Sequence, residues 1–171
     1  MEFEQVVHTY SKLIYQTAYM YVGNRQAAED ITQDVLMQYY RKGKAFRGEA
    51  SLRTYLTRIT YNRCYDHEHS WKNKAMAWID KLTLKSSQNV EAQVSQNVER
   101  SELLEAVHAL KPHYREVIIL YYFNELMVRE IADLIKVTEN TVHTRLKRAR
   151  EQLKANLHGW EGTFYEEAIR K

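Results

Sequence analysis

The sequence has little of three residue types that particular folds and locations require. It contains one cysteine, one proline and five glycines among 171 residues. A single cysteine excludes a disulfide framework, and so few glycines and prolines exclude the turns of an all-β sandwich and glycine-rich phosphate loops. No apolar run approaches the ~20 residues of a membrane-spanning helix. We therefore expect an all-α, cytoplasmic protein without a signal peptide.

Charged residues are unevenly distributed along the chain. Residues 41–74 carry nine Lys or Arg against three Asp or Glu, and residues 140–154 carry five against one. The stretch before the first block and the stretch between the two are acidic. Two basic blocks indicate two contacts with phosphates, and the acidic stretches offer surfaces to basic protein partners. For either block alone, a solvated helix face is an equally good interpretation.

Apolar residues recur at three- and four-residue steps along most of the chain, which is the pattern of amphipathic helices. Gly23 is expected to end the first helix, and Asn24 can cap the second by accepting from an early N–H. Pro112 suits the first turn of a later helix. The predicted helices cover residues 2–22, 24–43, 51 onward, 100–110, 112 onward, 128–135 and 139–157.

A polar stretch separates the helices into two groups. Ser, Gln and Asn dominate residues 86–98, and this composition favours a flexible linker. We therefore predict two small helical domains joined by a linker. Their expected limits are 1–75 for the first domain, 76–99 for the linker, 100–157 for the second domain and 158–171 for a C-terminal tail.

The second domain has the spacing of a helix-turn-helix. A short helix, a tight turn and a second helix follow one another, and the small Ala132 lies ten residues before Val142, which lets the helices cross closely. The second helix then offers its N-terminal half to a DNA major groove. An ordinary helical hairpin with a charged face is the alternative. The residues expected on its exposed face are His143, Thr144, Lys147 and Arg148, followed by Arg150 and Lys154.

The third helix combines cations with aromatic residues. We expect one face to be buried and the opposite face to present Thr54, Arg58, Tyr61 and Tyr65. Aromatic rings beside cations suit single-stranded nucleic acid, because unstacked bases gain ~1–3 kcal/mol each by stacking. Half-buried packing is the commoner role of a helical tyrosine and remains the alternative.

The strongest sign of an enzyme in this sequence is a possible metal site, and that sign is weak. Cys64, His67 and His69 are close in sequence, but on a helix His69 lies ~140° from Cys64. No fourth ligand has a conventional zinc spacing. No nucleophile–base pair or phosphate loop is recognisable elsewhere. We expect no metal, no cofactor, no small-molecule substrate and no catalytic residue.

Several motifs occur in order on both sides of the polar linker and span roughly residues 1–157. Their residues are Ala28, Glu29, Asp30, Gln33 and Asp34; Phe46, Gly48, Glu49 and Ser51 to Leu56; Arg58, Ile59, Asn62 and Asp66; Leu110 and Pro112; Tyr114 to Ile118; Glu130 to Ala132; and Thr141, Val142, Thr144 to Leu146 and Arg148 to Arg150. Together these motifs resemble the extracytoplasmic-function (ECF) sigma factors of bacterial RNA polymerase.

The resemblance implies a role for each motif. It implies that Asp30, Gln33 and Asp34 dock on core RNA polymerase. It implies that the third helix and the residues before it melt and recognise the −10 promoter element, through Phe46, Arg58 and Asn62, to which the aromatic stripe adds Tyr61 and Tyr65. It implies that the recognition helix contacts the −35 element through Asn140, Thr141, His143, Thr144, Lys147 and Arg148. The implied partners are core polymerase, promoter DNA and a membrane-anchored anti-sigma factor.

Three positions depart from the family pattern, and two other functions stay open. Tyr55 stands where the family usually has Trp. Lys136 stands where the turn often has Gly, and a left-handed Lys costs ~1 kcal/mol. Met127 stands where a serine often caps the helix. A stand-alone helix-turn-helix regulator leaves the third helix and the acidic residues unexplained. An anti-sigma factor or adaptor does not explain the basic recognition helix.

Overall fold

A computed structural model describes the backbone over residues 2–42, 50–79 and 98–157. Over these ranges the chain is helical, with no strand, which confirms the all-α class. Phe46, the predicted tail and residues 80–97 of the predicted linker lie outside the described residues. The elements are α1 (Phe3–Val22), α2 (Arg25–Lys42), α3 (Leu52–Ile79), α4 (Val98–Ala109), α5 (Pro112–Ile118), a π-helical turn (Ile119–Phe123), α6 (Val128–Ile135) and α7 (Glu139–Asn156).

Helices α1, α2 and α3 pack on one another and form the N-terminal bundle. Gly23 ends α1 in the left-handed conformation, with φ of 66°, and its N–H donates to the Tyr19 carbonyl at 2.9 Å. The Asn24 side chain then accepts from the Ala27 N–H at 2.9 Å, and the Ser51 hydroxyl accepts from the Thr54 N–H at 3.0 Å. The predicted turn at Gly23 and Asn24 is therefore confirmed.

Helices α4 to α7 form the C-terminal bundle, in which α7 packs on α4, α5 and α6. Pro112 occupies the first turn of α5, as predicted. The helix then widens into the π-helical turn, whose last bond runs from the Asn124 N–H to the Ile119 carbonyl at 3.1 Å. Turns of this kind are frequent at functional sites.

The two bundles share one hydrophobic core. Buried side chains of the N-terminal bundle, such as Ile14 and Leu56, belong to the same cluster as Val117 and Leu120 of the C-terminal bundle. Helix α1 provides the contact, because it packs on α2 and α3 and also on α4 and the π-helical turn. The C-terminal bundle therefore covers part of the N-terminal bundle.

Candidate functional site

The N-terminal half of α7 presents a polar and basic face to solvent. Thr138 caps the helix, since its hydroxyl accepts from the Thr141 N–H at 3.2 Å. Val142, Leu146 and Ala149 face the core. Of the six residues predicted to contact the −35 element, Thr141 is half-buried and the other five are exposed: Asn140, His143, Thr144, Lys147 and Arg148.

The turn before α7 has the strained geometry that the sequence predicts. Lys136 adopts the left-handed conformation, with φ of 59°, and its N–H donates to the Ala132 carbonyl. Ala132 and Val142 are both buried, on the two helices that the turn joins. At the start of α6, the Glu130 carboxylate accepts from the Met127 N–H at 3.0 Å. This bond secures the helix start despite the missing serine.

The α3 stripe, composed of Arg58, Tyr61, Asn62 and Tyr65, is only partly accessible. Asn62 is exposed, Tyr65 is 48% exposed and Arg58 is half-buried. Tyr61 is only 6% exposed, and its ring packs edge-on against Tyr21, with ring centres 5.8 Å apart. The prediction that this face of α3 presents Tyr61 and Thr54 to solvent is therefore wrong for this conformation. Tyr61 is buried because its ring packs on Tyr21 of α1 and its hydroxyl donates to Glu116 of α5, both distant in the sequence. Thr54 is 8% exposed.

A largely buried carboxylate lies beside Tyr61; it belongs to Glu116, whose side chain is 16% exposed. The Glu116 side chain accepts from the Tyr61 hydroxyl at 3.2 Å and from the Arg145 guanidinium at 2.7 Å. Burial raises the pKa of Glu116, although Arg145 and the Tyr61 hydroxyl act in the opposite direction. Burial and the negative charge of Glu116 raise the pKa of Tyr61 well above its ordinary value. Tyr61 is thus a firm hydrogen-bond donor at neutral pH.

The acidic face of α2, composed of Asp30, Gln33 and Asp34, is fully accessible. All three side chains are exposed, whereas Ala28 and Val35 on the other side of the helix are buried. The structure thus places the three residues together on one free face, as their spacing predicts. Asp30 also lies at the rim of a cleft of about 690 Å³ between the two bundles.

Comparison with known proteins accounts for both bundles. The sequence family model of Sigma-70 region 2 matches residues 6–70, and the family model of Sigma-70 region 4 matches residues 100–153. The ECF RNA polymerase sigma factor SigW of Bacillus subtilis is 30% identical over 165 residues, covering 91% of this chain and 88% of SigW. The chain belongs to the ECF sigma factor family. The sigma factor YlaC of the same organism is 30% identical over 135 residues, covering 77% of this chain and 78% of YlaC.

Solved structures support the fold of this sigma factor. The sigma factor RpoE in complex with the anti-sigma factor NepR from Bartonella quintana superimposes with a TM-score of 0.72 at 23% identity, covering 91% of this chain and 96% of RpoE. CnrH in complex with the cytosolic domain of CnrY gives a TM-score of 0.62 at 21% identity, covering 90% of this chain and 85% of the matched chain. Because region 2 is matched as well as region 4, a stand-alone regulator is not favoured.

Two basic residues of the sigma factor's recognition helix have structural contacts. Arg145 points inward to Glu116, and the two form an ion pair that is largely shielded from solvent. Arg150 donates to the Leu146 carbonyl at 3.2 Å and approaches the Tyr122 hydroxyl at 3.5 Å. Part of the positive charge of residues 140–154 therefore stabilises the C-terminal bundle. The sequence could not separate these two cations from the exposed ones, because their partners lie on other elements.

The alternative of a zinc site finds no support in the residues that the structure describes. Cys64 is fully buried, and burial raises the pKa of its thiol. The His69 ring lies 4.0 Å from the Tyr65 ring and hydrogen-bonds to the Tyr65 carbonyl at 3.0 Å. Among the described residues no three potential ligands come together. None of the described helices has the length and apolar character required to cross a membrane.

Proposed function

We propose that this sigma factor binds core RNA polymerase and directs transcription initiation at promoters with −35 and −10 elements. The observation that carries the proposal is the combination of regions 2 and 4 in one chain, each with an accessible polar face. The proposed division is a first domain at 1–75, a linker at 76–99, a second domain at 100–157 and a tail at 158–171. The chain itself performs no chemistry in this role, which it carries out in the cytoplasm.

The −35 element is contacted by the exposed face of α7. A recognition helix enters the major groove with its N-terminal residues, where Lys and Arg donate to guanine and Asn and Thr reach other base edges. Lys147 and Arg148 are exposed cations in the first half of α7, whereas Arg145 and Arg150 are engaged within the bundle. The proposed −35 contacts are Asn140, Thr141, His143, Thr144, Lys147 and Arg148.

The −10 element is held as a melted strand by the α3 stripe together with Phe46. Bases that leave the duplex stack on aromatic rings, and cations hold the backbone. Tyr65 and Asn62 are exposed for such contacts. Tyr61 becomes available only when the C-terminal bundle moves away, because its hydroxyl donates to Glu116 of α5. Arg58 is half-buried in this arrangement.

The acidic face of α2 docks on the polymerase. Asp30, Gln33 and Asp34 form a compact acidic-polar surface that suits a basic partner. We also propose control by a membrane-anchored anti-sigma factor. The support for this part is that the solved relatives RpoE and CnrH were each captured with another protein, in RpoE's case a named anti-sigma factor.

Reconstituted transcription tests the proposed function. Core polymerase is mixed with the chain and fragmented genomic DNA, and transcript starts are sequenced. We expect starts that share spaced upstream elements and that are absent when the chain is omitted. Transcript starts whose upstream sequences share no common elements would overturn the proposal. Nanomolar, sequence-specific binding of the free chain to intact duplex at physiological salt would instead favour the stand-alone regulator.

A further inference from the structure

Glu116 joins side chains from both proposed DNA-binding helices. Its carboxylate accepts from Tyr61 on α3 at 3.2 Å and from Arg145 on α7 at 2.7 Å. Its backbone carbonyl lies 3.4 Å from the Tyr21 hydroxyl of α1. Tyr61 retains only 6% exposure in this arrangement, so a DNA base cannot stack on its ring. These contacts hold α5 against the N-terminal bundle at the surface where we expect the melted −10 strand to bind.

A second contact across the same boundary is completely buried. The Asn124 side-chain oxygen accepts from the hydroxyls of Thr17 and Thr57, at 3.0 and 3.2 Å. Its amide nitrogen donates to the Ile119 carbonyl at 3.1 Å. The three side chains are at most 3% exposed, and each makes a hydrogen bond. A buried polar group of this kind stabilises only the arrangement that satisfies it, and water replaces its partners when the surfaces separate.

Arginines at the two ends of the boundary add further contacts. Arg53 of α3 donates to the Phe123 carbonyl at 3.3 Å and pairs with Glu125 at 3.3 Å. Glu125 has φ of 58°, an uncommon conformation outside glycine, and it follows directly on Asn124. Arg115 of α5 donates to the Tyr21 carbonyl at 3.0 Å. The segment 115–125 thus contacts both α1 and α3 through side chains and backbone.

We propose that the segment 115–125 closes on the α3 stripe as an intramolecular inhibitor of the free sigma factor. In the closed state it occupies the surface that a melted −10 strand needs, and it holds α7 beside α3. A melted −10 strand binds the open state, and closure lowers its apparent affinity in proportion to the closed fraction. The closed state follows from the contacts described above. Its inhibitory effect on promoter binding rests on the proposed function.

Polar groups interrupt the shared hydrophobic core at this boundary, and they favour reversible closure over a wholly apolar contact. A boundary made only of apolar side chains would expose a hydrophobic patch when it opens. Here Thr17, Thr57 and Asn124 present hydroxyl and amide groups that water can solvate after opening. Thr60 is also buried on α3, but its hydroxyl donates to the Leu56 carbonyl of the same helix at 2.8 Å. The variant Thr60→Val is therefore a matched control, because it removes a buried hydroxyl without removing a hydrogen bond between the bundles.

The first test weakens closure without changing any proposed DNA or polymerase contact. The double variant Thr17→Val/Thr57→Val keeps the side-chain shapes and leaves the Asn124 oxygen buried without a partner. The distance between spin labels at Glu4→Cys and Glu151→Cys reports the state, and buried Cys64 stays unlabelled. We expect a longer distance population and at least about fivefold tighter binding of the polymerase-bound chain to a promoter with a pre-melted −10 region. Thr60→Val should match the parent chain in both measurements.

The second test locks the closed state with a covalent linker, which takes the place of the Arg53–Glu125 ion pair that the two substitutions remove. Arg53→Cys and Glu125→Cys, whose parent side chains are 39% and 62% exposed, are joined by a bis-maleimide linker that contains a disulfide. When bound to polymerase, the linked chain should bind the pre-melted promoter at least about tenfold more weakly, and it should regain affinity when the linker is reduced. If circular dichroism shows that Thr17→Val/Thr57→Val does not fold, this second test alone decides whether closure inhibits the chain.

The outcomes separate the inference from the proposed function. Equal distances and equal affinity for the pre-melted promoter in parent and double variant would overturn the inference, as would full binding of that promoter by the linked chain. Failure of every form, including the reduced and the open chain, to bind polymerase would overturn the proposed function. In that case the distance measurement still decides whether the boundary closes.

Discussion

The ring of His108 packs directly against the backbone of Gly23. A Cβ placed on Gly23 would lie 3.0 Å from Cε1 of His108, and Gly23 itself has φ of 66°. The His108 Nε2 also hydrogen-bonds to the Met20 carbonyl at 3.0 Å. The turn between α1 and α2 is therefore a tight contact point for α4 and part of the boundary between the bundles.

Gly23→Ala should lower the stability of the chain for two separable reasons. The left-handed conformation costs a non-glycine residue about 1 kcal/mol, and the contact with His108 adds a steric penalty. Urea unfolding followed by circular dichroism measures the loss. In the background His108→Ala only the steric part should vanish. An unchanged loss in that background would show that His108 moves aside without cost.

His108 should make stability depend on pH. Burial and the nearby Arg115 charge lower the pKa of His108 below its ordinary value of 6.5. The stabilisation that depends on neutral His108 is thus complete above pH 6.5 and is lost as the pH falls through the folded-state pKa. Thermal unfolding of the parent and of His108→Gln at several pH values measures the difference.

The comparison with His108→Gln isolates this residue from other titrating groups. Burial lowers the pKa of His113 as well and raises that of Glu116, but both remain in the two proteins. The advantage of the parent over the variant should shrink from pH 7 towards pH 5. A constant difference across this range would show that His108 does not titrate differently in the folded state.

Lys136→Gly should stabilise the C-terminal bundle. Lys136 has φ of 59°, and glycine adopts this conformation without the steric cost of about 1 kcal/mol. Denaturant unfolding should show a gain approaching that amount. Lys136→Ala removes the same charge and keeps the strain, so it should not stabilise. Equal gains from both variants would point to charge as the cause.

Reversing the acidic face of α2 should weaken polymerase binding without unfolding the protein. Asp30→Lys/Asp34→Lys changes exposed side chains and replaces attraction by repulsion at the proposed contact. We expect about tenfold weaker binding or more in a fluorescence titration with core polymerase. Glu102→Lys/Glu105→Lys changes the charge equally on exposed positions of α4 and should bind like the parent. Equal affinity of the two double variants would remove α2 from the interface.

A promoter with a pre-melted −10 region should distinguish the two DNA-binding helices. Arg148→Ala removes a contact to intact duplex, so its defect of ~1–3 kcal/mol should persist on the melted template. Asn62→Ala removes a contact to the opened strand, so its defect in open-complex formation should largely disappear there. Lys12→Ala, an exposed cation on α1, serves as the charge control. Full rescue of Arg148→Ala by the bubble would contradict the assignment of α7.

Local sequence signals were sufficient for most of the secondary structure. Gly23 and Asn24 mark a helix end and a helix start because one tolerates positive φ and the other accepts from free N–H groups. Pro112 marks the first turn of α5 for a similarly local reason. The spacing between Ala132 and Val142 predicts the helix-turn-helix. This prediction succeeds because the two helices and their turn are adjacent in the sequence.

The tertiary structure alone decided which faces stay accessible. Helical periodicity shows that α3 has a second, more polar face, but Tyr61 is buried because Glu116, 55 positions away, lies over it. Asn124 lacks any sequence signal, although it holds Thr17 across 107 positions. Arg145 and Arg148 look alike in the sequence, yet one pairs within the bundle and the other faces solvent. Periodicity records the polarity of a face, whereas burial and hydrogen bonding depend on elements that are distant in the chain.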